Sequence, residues 1–191
     1  MKQIRSLIVA LLLFGSVSAQ TTWKIDKSHS KIGFNVVHMV VAEVDGQFTD
    51  FDASVVSKSD DFNGATVEFT AKATSINTQN ERRDNHLRSD DFFNAEKFPD
   101  IKFKGTIVKE GNQYKLKGDF TMRDVTKNVT FDVTYGGSID TGRGMKAGFK
   151  LTGKINRKDY GLKWSNALGT GEMVVSDDVE IVCKIELDKA A

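Results

Sequence analysis

Apolar and polar residues alternate along most of this chain with a period of two. "KIGFNVVH" sets Ile32, Phe34, Val36 and His38 on one side and Lys31, Gly33 and Asn35 on the other. "ATVEFTAKATS" sets Val67, Phe69, Ala71 and Ala73 against Thr66, Glu68, Thr70 and Lys72. The same rhythm lines up Ile101, Phe103, Gly105 and Ile107, then Leu116, Gly118, Phe120 and Met122, then Val129, Phe131, Val133 and Tyr135. It returns in Ala147, Phe149, Leu151, Gly153 and Ile155, and a last strand runs from Val179 to Leu187. Such alternation puts successive side chains on opposite faces, so these segments read as antiparallel strands with one buried and one wet face. About eight strands with a single apolar face must curl into a barrel or split into a sandwich. The fold expected is all-β, an extended antiparallel β-barrel of about eight strands.

The connections agree. "KEGNQ" and "RDVTKN" read as hairpin turns, and "GGSIDTGRG" (Gly136 to Gly144) as a longer glycine-rich connection. Phe48 falls out of phase with Phe51, Ala53 and Val55, which predicts a β-bulge within one strand.

One stretch breaks the pattern. "NERRDNHLRSDDFFNAEKFPDIKF" (Asn80 to Phe103) crowds Arg82, Arg83, Asp84, His86, Arg88, Asp90 and Asp91 together before Phe92, Phe93 and the chain's single proline, Pro99. Thr78 followed by Glu81 fits a capping box, and Ser89 before Asp90 and Asp91 fits a second helix start. One or two short helices acting as a lid are expected here, with phenylalanines turned inward and charges outward.

The first 19 residues have a different character. Lys2 and Arg5 precede an apolar run from Leu7 to Phe14 and then small residues ending at Ala19. This is the layout of a secretory signal peptide, and the run is too short to span a bilayer. The expectation is a leader over 1–19, cut after Ala19, one domain over 20–191, a periplasmic or secreted location and no stable membrane insertion. With 27 basic against 26 acidic side chains, and a net of −1 once Lys2 and Arg5 are gone, the chain lacks the positive field that nucleic acid requires.

Candidate chemistry is thin. His29, His38 and His86 lie far apart with no metal-ligand spacing, so no metal or other cofactor is expected. No nucleophile elbow is present, and the single cysteine, Cys183, shares the apolar phase of the last strand, which suits an inert buried thiol. What stands out is aromatic: Phe34, Phe51, Phe69, Phe103, Phe120, Phe131 and Phe149 all take the inward phase, interleaved with glycine and alanine. A barrel of this size either fills its interior with side chains or leaves room for one small ligand, and composition leaves both open.

The order of motifs resembles the YceI-like family of bacterial exported proteins. The matching pieces include "WKIDKSHSKIGFNVVHM", "VDGQFTDF", "SINTQNERRDNHLRSDDFFNAEKFPDIKF", "GDFTMRDVTKNVTF", "INRKDYGLKW" and "VVSDDVEIVCKIEL". Arg123-Asp124-Val125 departs from the family pattern, which often has a glycine before that valine. The resemblance implies a lipocalin-like barrel that binds an isoprenoid or another long-chain amphiphilic lipid, and with no catalytic motif in the sequence no catalytic residue and no enzyme activity are expected. Joined to strand phase, it makes Phe34, Val36, Phe51, Phe69, Phe103, Phe120, Phe131, Phe149 and Leu151 the tail contacts, with Phe92 and Phe93 from the lid. His38, Arg82, Arg83, His86 and Arg157 are the candidates for a polar head. Two alternatives stay open: an enzyme acting on such a lipid through His29, His38 or His86, and a packed barrel that binds a protein partner. A homodimer also stays open.

Overall fold

Every strand pairs antiparallel with its neighbours in the computed structural model, which describes residues 20–169, 171 and 173–190. The expected leader, residues 1–19, lies outside the described residues. The elements are β1 (Thr21–Ile25), β2 (Lys31–His38), β3 (Ala42–Phe48), β4 (Phe51–Ser57), β5 (Thr66–Lys72), β6 (Ile76–Asn77), α1 (Glu81–Arg88), β7 (Asp100–Glu110), β8 (Gln113–Met122), β9 (Val125–Asp140), β10 (Met145–Asn156) and β11 (Val175–Lys189). Short 3-10 turns cover Ala73–Ser75 and Arg157–Tyr160. The sheet closes on itself because β11 pairs with β2 over its first half and with β1 at its end, while β1 also pairs with β4.

The barrel has eight staves, as the alternation predicts, but three of them are broken. β1 continues as β2 along β11, and β3 continues as β4 on the other side of that pair. β5 continues through its 3-10 turn as β6, which pairs with β3. The bulge expected at Phe48 is instead such a break. β3 ends at Phe48, the chain turns at Thr49–Asp50, and β4 starts in a new phase, with Thr49 N–H bonded to the Ser75 carbonyl at 3.2 Å. A register shift does occur elsewhere: Gly148 faces Gly137 but Phe149 faces Tyr135, leaving Gly136 as the extra residue in β9. The connection expected over Gly136 to Gly144 is therefore mostly strand, and β11 is longer than its Val179–Leu187 alternation suggested.

The first break is spliced by side chains. Asp26 accepts from Ser28 Oγ (2.6 Å), Ser28 N–H (3.0 Å) and His29 Nδ1 (2.8 Å), folding the corner between β1 and β2. Ser30 Oγ then accepts from Glu186 N–H at 2.9 Å and donates to the Glu186 carbonyl at 3.3 Å, standing in for missing ladder bonds opposite β11.

β6 and β7 do not pair, so the wall gapes near one end, and α1 lies there. Asn80, not Thr78, caps the helix, accepting from Arg83 N–H at 3.0 Å. Thr78 is occupied otherwise: its N–H and Oγ1 both donate to the buried Asp84 carboxylate, at 2.9 and 2.5 Å. No second helix begins at Ser89; it closes α1, donating to the His86 carbonyl at 2.7 Å. The lid's charges do not simply face water either. Arg88 donates to the Thr74 (2.8 Å) and Ile76 (2.9 Å) carbonyls, and Arg83 to that of Thr78 (2.8 Å). Two arginines thus satisfy the edge that no strand covers.

The lid end also carries three other connections. Arg123 Nη1 donates to the Phe92 and Gly161 carbonyls, each at 2.7 Å, strapping the β8–β9 turn to the lid and to the 157–174 connection. Both Arg123 and Asp124 take positive φ (50° and 58°), the geometry for which a glycine is commonly chosen. At the β2–β3 turn, Met39 and Val40 do the same (49° and 66°), and for an L-residue the left-handed region costs roughly 1–2 kcal/mol. The opposite end is plugged. Phe62, 1% exposed, packs its ring on Trp23 (5.1 Å), Tyr135 (5.4 Å) and Phe149 (5.0 Å).

Candidate functional site

The barrel interior is not packed solid. A cavity of about 170 Å³ runs along the lumen, and every side chain lining it is apolar. Phe34, Phe69, Phe93, Phe103, Phe120, Phe131, Phe149 and Leu151 all line it, as strand phase and the lid pattern predict. The glycines on the same faces explain how so many rings leave any space. A Cβ added at Gly46 would run into the Phe34 ring, one at Gly105 or Gly118 into Phe103, and one at Gly153 into Phe131. Each ring therefore lies down over a glycine, close to the wall, instead of standing up across the lumen. Phe51 departs from the expectation: it is buried opposite Ala71 but does not border the cavity. Phe48 does border it, since the break after β3 turns this out-of-phase ring inward against Phe34 (5.8 Å) and Phe93 (5.7 Å).

A second chamber of about 210 Å³ lies under the lid. Phe34, Phe93, Met122, Ile155 and Val179 border both spaces, so the two are separated by little more than these side chains. Val36 and Phe92 line this chamber, not the deep lumen. Here too are most of the expected polar residues, His38, Arg83, His86 and Arg157, whereas Arg82 lies outside on a shallow groove with Asn80, Arg83 and His86. The chamber is thus apolar at its floor and mixed at its rim.

These polar groups are unequally free. Arg157 is 3% exposed, and its guanidinium is spent on the protein: it donates to the carbonyls of Leu162 (2.7 Å), Trp164 (2.7 Å) and Ser176 (2.9 Å) and meets Asp177 at 3.3 Å. Burial lowers its pKa while Asp177 raises it. Arg157 is a clamp for the 157–174 connection. Arg83 is half committed to Thr78 through Nε and Nη2. His86 contacts Asp91 at 2.8 Å, and its ring sits edge-on to Phe92 (5.1 Å) and Trp164 (5.5 Å). Trp164 is a residue that sequence pattern missed. It lies in an irregular segment where no periodicity marks an inward side chain.

His29 is far from this chamber in the chain's layout, at the β1–β2 splice. Asp26, His29 and Glu186 offer three ligand atoms within 4.8 Å of one another, the one such group among the described residues. A cation is already built in: Lys146 Nζ contacts Asp26 (3.0 Å), Glu186 (2.7 Å) and Asp188 (2.7 Å). The bonds from Ser28, His29 and Lys146 hold the Asp26 carboxyl well below the usual carboxylate range, and the bond to Asp26 raises His29. Ser28 donates to Asp26 and so is not poised as a nucleophile. Burial pushes the Cys183 thiol up to about 11, so it lines the lumen as an inert small side chain.

A closed antiparallel barrel with a lid at one end and a wholly apolar deep cavity defines a class of internal-pocket β-barrels. Within it, the model of the YceI-like domain matches residues 23–187, and the chain belongs to the YceI-like family. A UPF0312 protein of Staphylococcus aureus is 37% identical over 168 residues, covering 87% of this chain and 96% of that protein. Among solved structures, the Campylobacter jejuni YceI protein is 31% identical with a TM-score of 0.70, over 87% of this chain and 96% of its own. A polyisoprenoid binding domain from Saccharophagus degradans shares the fold at 12% identity, with a TM-score of 0.64 over 88% of this chain and 98% of its own. No helix among the described residues is long and apolar enough to cross a membrane.

Proposed function

We propose that this protein is an exported carrier or store for an isoprenoid or a similar long-chain amphiphile, held tail-first in the lumen. The observation that carries this reading is the all-apolar cavity, bordered by the same five side chains as a chamber with a polar rim. A cavity of roughly 150 Å³ suffices for one benzene. The lumen at about 170 Å³ therefore admits a short apolar group as it stands. A longer tail requires Phe34 and Phe93 to swing aside and merge the two spaces. Each methylene buried adds about 0.8 kcal/mol, partly offset by the lost freedom of the tail. His38, His86 and Arg83, which line the second chamber, would meet the head; Arg157 would not, because its donors are taken. The likeness to a polyisoprenoid binding domain supports the same class of guest. Periplasmic or secreted location, with a cut after Ala19, belongs to this proposal.

The test is organic extraction of untreated purified protein followed by mass spectrometry. A stoichiometric lipid with a long apolar chain is expected; an empty protein that also refuses offered isoprenoids would overturn the reading.

Among the described residues at the chamber, the His86–Asp91 contact is the feature that favours catalysis instead. Edge-on packing of His86 between Phe92 and Trp164 gives that histidine a structural task, pinning lid to connection. The packed-barrel alternative fits poorly with an unfilled lumen.

A further inference from the structure

The turn between β2 and β3 is built against the usual preferences for such turns. Paired positive φ angles call for Asn-Gly or Asp-Gly, which adopt them without strain. Here the two positions are Met39 and Val40, the second β-branched and the least suited to that conformation. The β8–β9 turn has the same paired angles and fills them with polar Arg123 and Asp124. Folding therefore does not demand apolar residues in this geometry.

Nor do these side chains bury themselves in the barrel. Of the five large hydrophobic residues most exposed among the described residues, four are Val37, Met39, Val40 and Val41, the last 88% exposed. The tip is also placed with respect to the chamber. His38 and Val36 on β2 and Val44 on β3 line it, and Met39 N–H bonds to the carbonyl of Val174, another of its lining residues, at 2.9 Å. An apolar, strained hairpin tip thus projects from the rim of the space where a lipid would enter.

We propose that residues 37–41 are a membrane-docking tip, which dips into the apolar edge of a lipid bilayer and brings the chamber against the surface. A protein partner fits less well, because a stable interface needs about 800 Å² per side with a complementary face. A narrow three-residue turn offers neither, whereas a bilayer accepts an isolated apolar protrusion with no matching shape. The choice of a bilayer rests on the carrier reading, since a lipid guest has to come from one.

The experiment uses phosphatidylcholine vesicles containing a dansyl-labelled prenyl alcohol. In V41W, tryptophan emission is expected to shift blue and to be quenched by lipids brominated along their chains. In the triple variant M39N/V40G/V41S, which installs the favoured turn and should melt no lower than the parent, uptake of the alcohol from vesicles is expected to slow at least tenfold, because three apolar side chains no longer enter the bilayer. Uptake of the same alcohol from detergent micelles should be unchanged. An unquenched V41W, or parental uptake from vesicles by the triple variant, overturns the tip. If V41W is quenched but the protein takes up no alcohol from either source, the tip stands and the carrier reading falls.

Discussion

Asp84 and Arg157 are both buried charged residues, and both act as fasteners for polypeptide that has no ladder partner. Asp84 gathers the N–H and hydroxyl of Thr78, and Arg157 gathers the carbonyls of Leu162 and Trp164 in the connection before β11 and that of Ser176 at the start of β11. Removing either leaves buried polar groups without partners, at about 1–3 kcal/mol for each group orphaned. Asp84→Ala and Arg157→Ala are each expected to lower stability by at least that much in urea unfolding. Arg157→Lys should recover little, because an ammonium cannot reproduce the planar fork. If Arg157 instead served a ligand head, its alanine variant would keep parental stability and lose only binding. The rings over glycines belong to the same scale: Gly105 and Gly118 matter because the facing backbone of β7 and β8 and the Phe103 ring together occupy the space a side chain would need.

Broken staves and the means of splicing them dominate the level of elements. The Asp26–Ser30 corner predicts a pH signature. Asp26 is depressed below its ordinary value of 3.8, so its contribution is present above that pH and lost as pH falls further. His29 is raised above 6.5, so its contribution is full below that pH and lost as pH rises through the shifted value. Melting temperature followed against pH should therefore show a plateau between about pH 4 and 6.5 from this corner. Asp26→Asn should flatten both shoulders; a variant curve merely displaced downward, with its shape intact, would refute the assignment. Strand phase made the staves and seven of the expected lumen-lining residues legible in advance, because a two-residue period maps directly onto two faces, and the lid pattern added Phe93. Phe51, Phe62 and Trp164 were not legible. Whether Phe51 reaches the lumen depends on where a stave breaks, and Phe62 and Trp164 sit in turns, where direction is set by contacts with residues distant in the chain. The tasks of Arg83, Arg88 and Arg123 were hidden for the same reason: their partners are carbonyls, which every residue carries.

For the molecule as a whole, the asymmetry of its two ends matters most. One end has a lid, a polar rim and an apolar tip; the other has the Phe62 plug. Phe62→Ala should cost about 3–5 kcal/mol in unfolding free energy, the usual toll for emptying a packed phenylalanine site. The same variant should also extract with longer chains than the parent, read by mass spectrometry. Unchanged chain lengths would mean the plug does not set the depth of the lumen. A cul-de-sac imposes an order of events that a through-passage would not. If a guest is held there, whatever part of it goes in first must come out last, and the same end of it would always lead the way out.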